Sequence, residues 1–248
     1  MFIPSPATRP PPGFVLHTAA PVVVYISSME HGTSPIRSPR PPGVSTINPY
    51  RILWHASPGL AIVLYMLKTY PSTRAPVIAL AIAAGVFALI DVLRFTTRLG
   101  RDLFWKYLRF LASGKERRGP NTSLYYALSL LAAILLFPPK IAMAAIICLC
   151  IGDPVAGIAG RLAGRHRLRG KSFEGAAANF LVCAAILWPL FSFGAGGSAS
   201  ASVGSAAAVG AAGAAVGSLA EFLPLPLDDN IVIPLAAGGA MILAQAIL

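Results

Sequence analysis

Long apolar runs occupy most of the chain after residue 53. Each run is about 20 residues long, which is the length a helix needs to cross the hydrocarbon core of a bilayer. Seven runs cover residues 54–70, 75–93, 122–139, 141–163, 174–193, 202–221 and 231–248. Only 12% of the residues are charged, whereas soluble domains carry about 25%. The sequence therefore predicts an all-α, polytopic membrane helix bundle with about seven transmembrane helices.

The first 50 residues have a different composition. They hold eleven of the 22 prolines, and proline removes the backbone donor that a regular helix needs. We expect a Pro-rich, disordered N-terminal tail at 1–50 and an integral membrane domain at 51–248. Met29 is an alternative start of the chain, a hypothesis that sequencing of the mature N-terminus would test.

The distribution of charge predicts which helix ends face the cytoplasm. Eight Lys and Arg residues lie between Arg94 and Arg118, and five lie between Arg161 and Lys171. Loops rich in Lys and Arg stay on the cytoplasmic side, so we expect a cytoplasmic N-terminus. All nine acidic residues fall on or near the same face. We interpret the net charge of +11 as a topology signal and expect no nucleic-acid partner.

An acidic residue stands near the cytoplasmic end of the fourth predicted span. Asp153 belongs to the string Gly152-Asp153-Pro154-Val155-Ala156. An ionisable group at membrane depth is costly and normally faces a cavity, so Asp153 is a candidate functional residue. In one interpretation Pro154 loosens a continuous helix beside it. In the other, Asp153 caps a new helix and Pro154 takes its first position.

Small residues and a cation follow Asp153 at helical spacing. Gly160 and Gly164 continue a row of small residues every four positions. Such a row lets helices pack closely, and it also leaves room for a phosphate chain. Arg161 lies about two turns beyond Asp153, on roughly the same side of the helix. These residues are candidates for phosphate binding.

A basic segment leads into the fifth predicted span. It is not a P-loop, because that motif has four residues between its glycines and follows a strand. Ser172 is a candidate helix cap, and Glu174 falls in the first helical turn, where a carboxylate is favourable. Lys171 has no such explanation, and its point charge suits phosphate.

A further group of polar residues, two of them acidic, precedes the last predicted span. Asp228, Asp229 and Asn230 offer hard oxygen ligands of the kind that Mg²⁺ accepts alongside water and phosphate; a solvated loop cap is the alternative. Further polar residues on the same predicted face are expected to support the site, although a lone histidine there is more often structural. These supporting residues are Arg51, His55, Asp91, Arg94, Glu116, Glu221 and Asp228.

Together these segments resemble the CTP-dependent lipid kinases, a family that includes dolichol kinase, phytol kinase and the fungal-type diacylglycerol kinase. The resemblance covers most of 51–248. It rests on Arg51-Ile52-Leu53-Trp54-His55, Asp91-Val92-Leu93-Arg94, Glu116 with Tyr125-Tyr126, Gly152-Asp153-Pro154-Val155-Ala156, Gly160-Arg161, Gly164, Lys171-Ser172-Phe173-Glu174-Gly175, and Asp229-Asn230 with Pro234. Ile52 departs from the family, whose members often carry a basic residue there. Phosphatidate cytidylyltransferases share part of the pattern, but their usual Ser-Pro-Lys-Lys-Thr-Trp-Glu-Gly string is replaced here by Gly170-Lys171-Ser172-Phe173-Glu174-Gly175.

The resemblance implies a membrane kinase that transfers the terminal phosphate of CTP to a lipid alcohol such as phytol, a polyprenol or dolichol, or diacylglycerol. We expect an active site that faces the cytoplasm, and no protein partner is indicated. Asp153, Lys171 and Glu174 are the candidate catalytic residues. The candidate nucleotide-binding residues are Gly160, Arg161, Gly164, Lys171 and Ser172, and the candidate Mg²⁺ ligands are Asp153, Asp229 and Asn230. A cytidylyltransferase that makes a CDP-lipid and a non-catalytic transporter or scaffold are the alternatives.

Overall fold

The structure is a computed structural model that describes residues 49–107, 119–193 and 203–248. Within these ranges the chain forms nine α-helices, one π-helical turn and one short β-hairpin. The predicted disordered tail lies outside the described residues except for its last two positions, and so does Glu116. The disorder of the tail therefore stays a prediction.

The elements follow one another in a simple order. They are α1 (Pro49–Thr69), α2 (Arg74–Thr96), α3 (Arg98–Tyr107), α4 (Thr122–Leu136), α5 (Pro139–Ile147), the π-helical turn (Cys148–Gly152), α6 (Asp153–Leu162), β1 (Arg167–Leu168), β2 (Lys171–Ser172), α7 (Phe173–Phe193), α8 (Val203–Phe222) and α9 (Asp229–Ile247).

Five helical units are long and apolar enough to cross a membrane: α2, the continuous unit Pro139–Leu162, α7, most of α8, and α9. The predicted all-α membrane bundle is confirmed, and the chain is an integral membrane protein. The other two predicted spans correspond to α1, which has 21 residues, and to α4, which has 15. The total of seven spans and the cytoplasmic N-terminus stay predictions.

The unit Pro139–Leu162 is the centre of the bundle. In its apolar window 67% of the residues are buried, against 22% to 50% in the other four units. Its first two segments, α5 and the π-helical turn, contact α1, α7, α8 and α9. This arrangement follows from the sequence, because 141–151 is apolar on every side and a helix of that kind is buried most readily. The central unit carries Asp153 at the point where the buried segment ends.

The helix does not restart at Asp153. Gly152 has φ −61° and ψ −50°, and Asp153 has φ −61° and ψ −48°, so both residues are helical. The continuous-helix interpretation is confirmed, and the interpretation of Asp153 as a helix cap is wrong. Pro154 lacks an N–H, and its ring crowds the carbonyl four residues earlier. The wider π-helical turn accommodates that crowding, and such turns are frequent at functional sites.

Candidate active site

Carboxylates and a lysine from separate segments converge beside the end of the central helix. Lys171 Nζ donates to Asp229 Oδ1 over 2.9 Å and also to the backbone carbonyl of Glu221. The carboxylates of Glu221 and Asp229 are both close enough to Asp153 to interact with it electrostatically. We call Asp153, Lys171, Glu221 and Asp229 the acidic cluster. The structure thus brings together the fourth predicted span, the basic segment and the C-terminal segment.

The acidic cluster is partly open to solvent. The side chains of Asp153, Asp229 and Lys171 are 33%, 37% and 23% exposed, whereas Glu221 is buried. Three carboxylates face one ammonium group, and this excess of negative charge favours the binding of a further cation. Within the described ranges, no group of three or more His, Cys, Asp or Glu side chains is arranged as a metal site.

The first turn of α9 explains how Asp229 reaches Lys171. Asp228 is the N-cap of α9, and its Oδ1 accepts hydrogen bonds from the backbone N and the Nδ2 of Asn230, over 3.1 and 2.7 Å. The cap uses Asp228 and fixes the start of the helix, so the next side chain, Asp229, is available for Lys171. Asn230 is buried in this cap, and its role as a metal ligand stays a prediction.

Ser172 and two glycines form a close contact between α6 and the start of α7. Ser172 Oγ accepts a hydrogen bond from Gly175 N over 3.0 Å, so Ser172 caps α7 as expected. A methyl group added at Gly160 would lie 2.5 Å from Ser172 Oγ, and one added at Gly164 would lie 2.8 Å from Ser172 Cβ. Packing therefore accounts for Ser172, Gly160 and Gly164, and their binding of phosphate stays a prediction.

Glu174 holds the β-hairpin that carries Lys171. Its Oε1 accepts hydrogen bonds from His166 N over 3.1 Å and pairs with His166 Nδ1 over 2.8 Å. In the hairpin Leu168 lies opposite Lys171, and the two turn residues, Arg169 and Gly170, have φ of 47° and 95°. Positive φ at both positions is typical of a tight hairpin turn. These contacts tie the start of α7 to the hairpin, and a catalytic role of Glu174 stays a prediction.

His55 approaches Asp153 from α1. Its Nε2 lies 3.3 Å from Asp153 Oδ2, and its ring centroid lies 4.7 Å from that of Tyr126 on α4. Tyr126 also interacts electrostatically with Asp153. The sequence predicts no separate role for Tyr126, because an aromatic residue inside an apolar run is indistinguishable from a packing residue.

Asp91 and Arg94 form a buried ion pair that organises a different part of the fold. Their side chains lie 2.7 Å apart, Asp91 Oδ2 accepts from Asn121 N over 2.8 Å, and Arg94 Nη2 donates to Gly119 O over 2.9 Å. The guanidinium of Arg94 lies 4.3 Å from the ring centre of Phe104. These contacts join the end of α2 to α3 and to the start of α4.

The two remaining predicted residues are Arg161 and Arg51. Arg161 is exposed near the end of α6. Arg51 lies in the first turn of α1, but its side chain is outside the described part of the structure.

Comparison with known proteins finds sequence similarity to lipid kinases. Over 154 residues the chain is 26% identical to CTP-dependent diacylglycerol kinase 1 of Schizosaccharomyces pombe, in a match that covers 59% of this chain and 71% of that protein. The chain is therefore similar in sequence to a CTP-dependent lipid kinase. Over 132 residues it is 34% identical to the probable chloroplastic phytol kinase 3 of Glycine max, with 48% of this chain and 39% of that protein covered.

The resemblance to the CTP-dependent lipid kinases that the motifs predicted is thereby confirmed. No protein-family profile matches the chain, and no solved structure matches it. The match to the soybean phytol kinase spans well under half of that protein.

Proposed function

We propose that the chain is a membrane lipid kinase that transfers the terminal phosphate of CTP to the hydroxyl group of a lipid alcohol. The observation that carries this proposal is the Lys171–Asp229 pair beside Asp153 and Glu221, at the ends of helices that are long enough to span a membrane. CTP as the donor is supported by the name of the fission yeast relative, and a lipid acceptor by the names of both relatives.

Phosphoryl transfer requires positioned groups more than reactive ones. The phosphoryl group is passed between two oxygens, and catalysis consists mostly of alignment and neutralisation of charge. In the proposed reaction the lipid oxygen forms a bond to the γ-phosphorus. The bond from that phosphorus to the β–γ bridging oxygen breaks, and its electron pair leaves with CDP. The hydroxyl proton passes to a carboxylate of the acidic cluster.

The residues of the acidic cluster suit these requirements. Lys171 is held at the cluster by two hydrogen bonds, so it offers a fixed positive charge to phosphate oxygens. Arg161 is exposed on the same helix as Asp153 and would contact the phosphate chain from the solvent side. We propose that the site opens to the cytoplasm, because five of the cations lie between Arg161 and Lys171.

The donor groups of the cluster fit Mg²⁺. This ion usually takes one or two carboxylates and completes its shell with water and phosphate oxygens. Asp153 and Asp229 would hold it, with Asn230 beside them, and a dedicated set of three protein ligands is not needed. Bound Mg²⁺ would neutralise charge on the phosphate oxygens.

The proposal is tested with purified protein, a panel of lipid alcohols and CTP labelled at either its γ-phosphate or its cytidine. We expect label from the γ-phosphate on phytol, a polyprenol or diacylglycerol, and none from cytidine. The Asp153→Asn variant, inserted normally in the membrane, is the control and should give no labelled lipid. Cytidine label on the lipid would support a cytidylyltransferase instead. Failure of CTP and Mg²⁺ to raise the thermal stability of the protein would favour the transporter or scaffold.

The role of Glu174 can be separated from that of a general base. If Glu174 mainly holds the hairpin, Glu174→Ala should lower kcat by about tenfold, the effect expected from losing one or two hydrogen bonds. Glu174→Gln keeps an acceptor for His166 N and should retain most of the activity, while His166→Ala should reproduce part of the loss. A general base would give a different result, because Glu174→Gln would then be as inactive as Glu174→Ala and His166→Ala would be nearly normal. Measurement of kcat for the three variants decides between these outcomes.

A further inference from the structure

Two buried polar atoms near Asp153 have no hydrogen-bond partner among the described residues. They are His55 Nε2 and the hydroxyl of Tyr126. His55 Nε2 lies 3.3 Å from Asp153 Oδ2, but the two atoms are not aligned for a hydrogen bond. The Tyr126 side chain is only 8% exposed, and its hydroxyl lies close to the backbone of Gly59 but outside hydrogen-bond geometry.

Such atoms are uncommon in a folded protein and call for an explanation. A buried polar group without a partner costs about 1–3 kcal/mol, and most buried polar groups in native structures are paired. Here the two atoms belong to side chains that contact each other, since the ring centroids of His55 and Tyr126 are 4.7 Å apart. A single ligand group placed between them and Asp153 would satisfy both atoms.

The surroundings of His55 indicate what kind of ligand this is. On α1 its neighbours Leu53 and Trp54 are exposed, at 66% and 47%, and so is Leu60 one turn later. In a membrane protein, exposed apolar residues of this kind face lipid. The cationic groups belong to other elements, because Lys171 lies on β2 and pairs with α9. Asp153 therefore has an apolar, lipid-facing neighbour in α1 and a cationic neighbour in the hairpin.

Building on the proposed kinase function, we propose that His55 and Tyr126 bind the acceptor hydroxyl of the lipid. The ligand is a hydroxyl group at the end of an apolar chain that reaches Asp153 alongside α1. The hydroxyl oxygen accepts hydrogen bonds from His55 Nε2–H and from the Tyr126 hydroxyl, and its own proton points to the Asp153 carboxylate. Transfer of that proton to Asp153 frees a lone pair of the oxygen for attack on the phosphate held at Lys171.

Kinetics separate this role from a role in nucleotide binding. In Tyr126→Phe and His55→Ala we expect the KM for the lipid alcohol to rise about tenfold, the effect of one lost hydrogen bond of about 1.4 kcal/mol. The KM for CTP, and the rise in thermal stability caused by CTP, should stay as in the wild type. Tyr65→Phe on the exposed side of α1 is the matched control and should change neither constant. An equal rise in both KM values, or a rise in the KM for CTP alone, would overturn the proposal.

A second experiment does not depend on turnover. A long-chain alcohol with a diazirine on the carbon next to its hydroxyl is activated by light in the full-length protein, and the labelled peptides are mapped. We expect label on α1 around His55 and on α4 around Tyr126, removed by an excess of the unlabelled alcohol and reduced in Tyr126→Phe. Competable label confined to α7, α8 and α9 would overturn the assignment. If the wild type phosphorylates no alcohol but gives this labelling, the kinase proposal fails and the hydroxyl site stands.

Discussion

Replacement of Lys171 by Met is expected to lower the rate of phosphoryl transfer by about 100- to 1000-fold, the range found when one fixed charge-stabilising donor is removed from a reacting centre. Lys171 is the cation that the structure places within the acidic cluster, bonded to Asp229 Oδ1 and to the carbonyl of Glu221. In the proposed role of Lys171, its loss would remove a contact to phosphate and leave three neighbouring carboxylates that repel an incoming triphosphate. Initial rates with saturating CTP and lipid alcohol measure the effect.

A double variant distinguishes binding of phosphate from simple neutralisation of the neighbouring carboxylates. If Lys171 only offsets their negative charge, then Lys171→Met combined with Glu221→Gln, a change outside the proposed Mg²⁺ ligands, should recover activity relative to Lys171→Met alone. If Lys171 contacts phosphate, the double variant should be no more active than either single variant. We expect the second result. Lys140→Met, the same change at the start of α5, is the control and should leave the rate within about twofold, as is usual for surface changes.

The apolar runs predicted most of the fold because helices in a membrane must satisfy their backbone groups internally and so follow hydropathy closely. The predicted span 174–193 corresponds to α7 at Phe173–Phe193, and the predicted span 231–248 to α9 at Asp229–Ile247. By contrast α3, at Arg98–Tyr107, was not predicted. It is short and carries several charges, and a search for apolar runs does not detect such a helix. The position of each helix in the bundle was not predicted either, since it depends on which helix faces pack together.

The candidate site was predictable in its residues and not in its pairings. Asp153, Lys171 and Asp229 stand at the ends of predicted spans, and their charge alone marked them. The contact between Lys171 and Asp229 depends on where the start of α9 lies relative to the hairpin, and the packing of the helices sets that position. Glu174 illustrates the same limit. Its hydrogen bonds to His166 require a hairpin whose turn has positive φ at Arg169. Residues other than glycine seldom adopt positive φ, so this turn is not recognisable in the sequence.

The buried pair Asp91 and Arg94 is expected to dominate the stability of the region where the end of α2 meets the start of α4. Both side chains are nearly inaccessible, at 6% and 4% exposure. Arg94→Met would leave the Asp91 carboxylate buried without its counter-charge, and breaking a buried pair in this way costs about 3–5 kcal/mol of the free energy of unfolding. It would also remove the hydrogen bond to Gly119 O and the contact with the Phe104 ring. The midpoint of thermal unfolding in detergent measures the loss.

A double-mutant cycle shows whether the uncompensated charge is the cause. Asp91→Asn combined with Arg94→Met removes both charges, and asparagine keeps an oxygen that accepts from Asn121 N. The double variant should therefore be more stable than Arg94→Met alone, with a coupling free energy of about 1–3 kcal/mol. Arg101→Met on the exposed side of α3 is the matched control and should hardly move the midpoint. A normal midpoint for Arg94→Met would mean that water reaches Asp91. In that case the ion pair would not be what holds α2, α3 and α4 together.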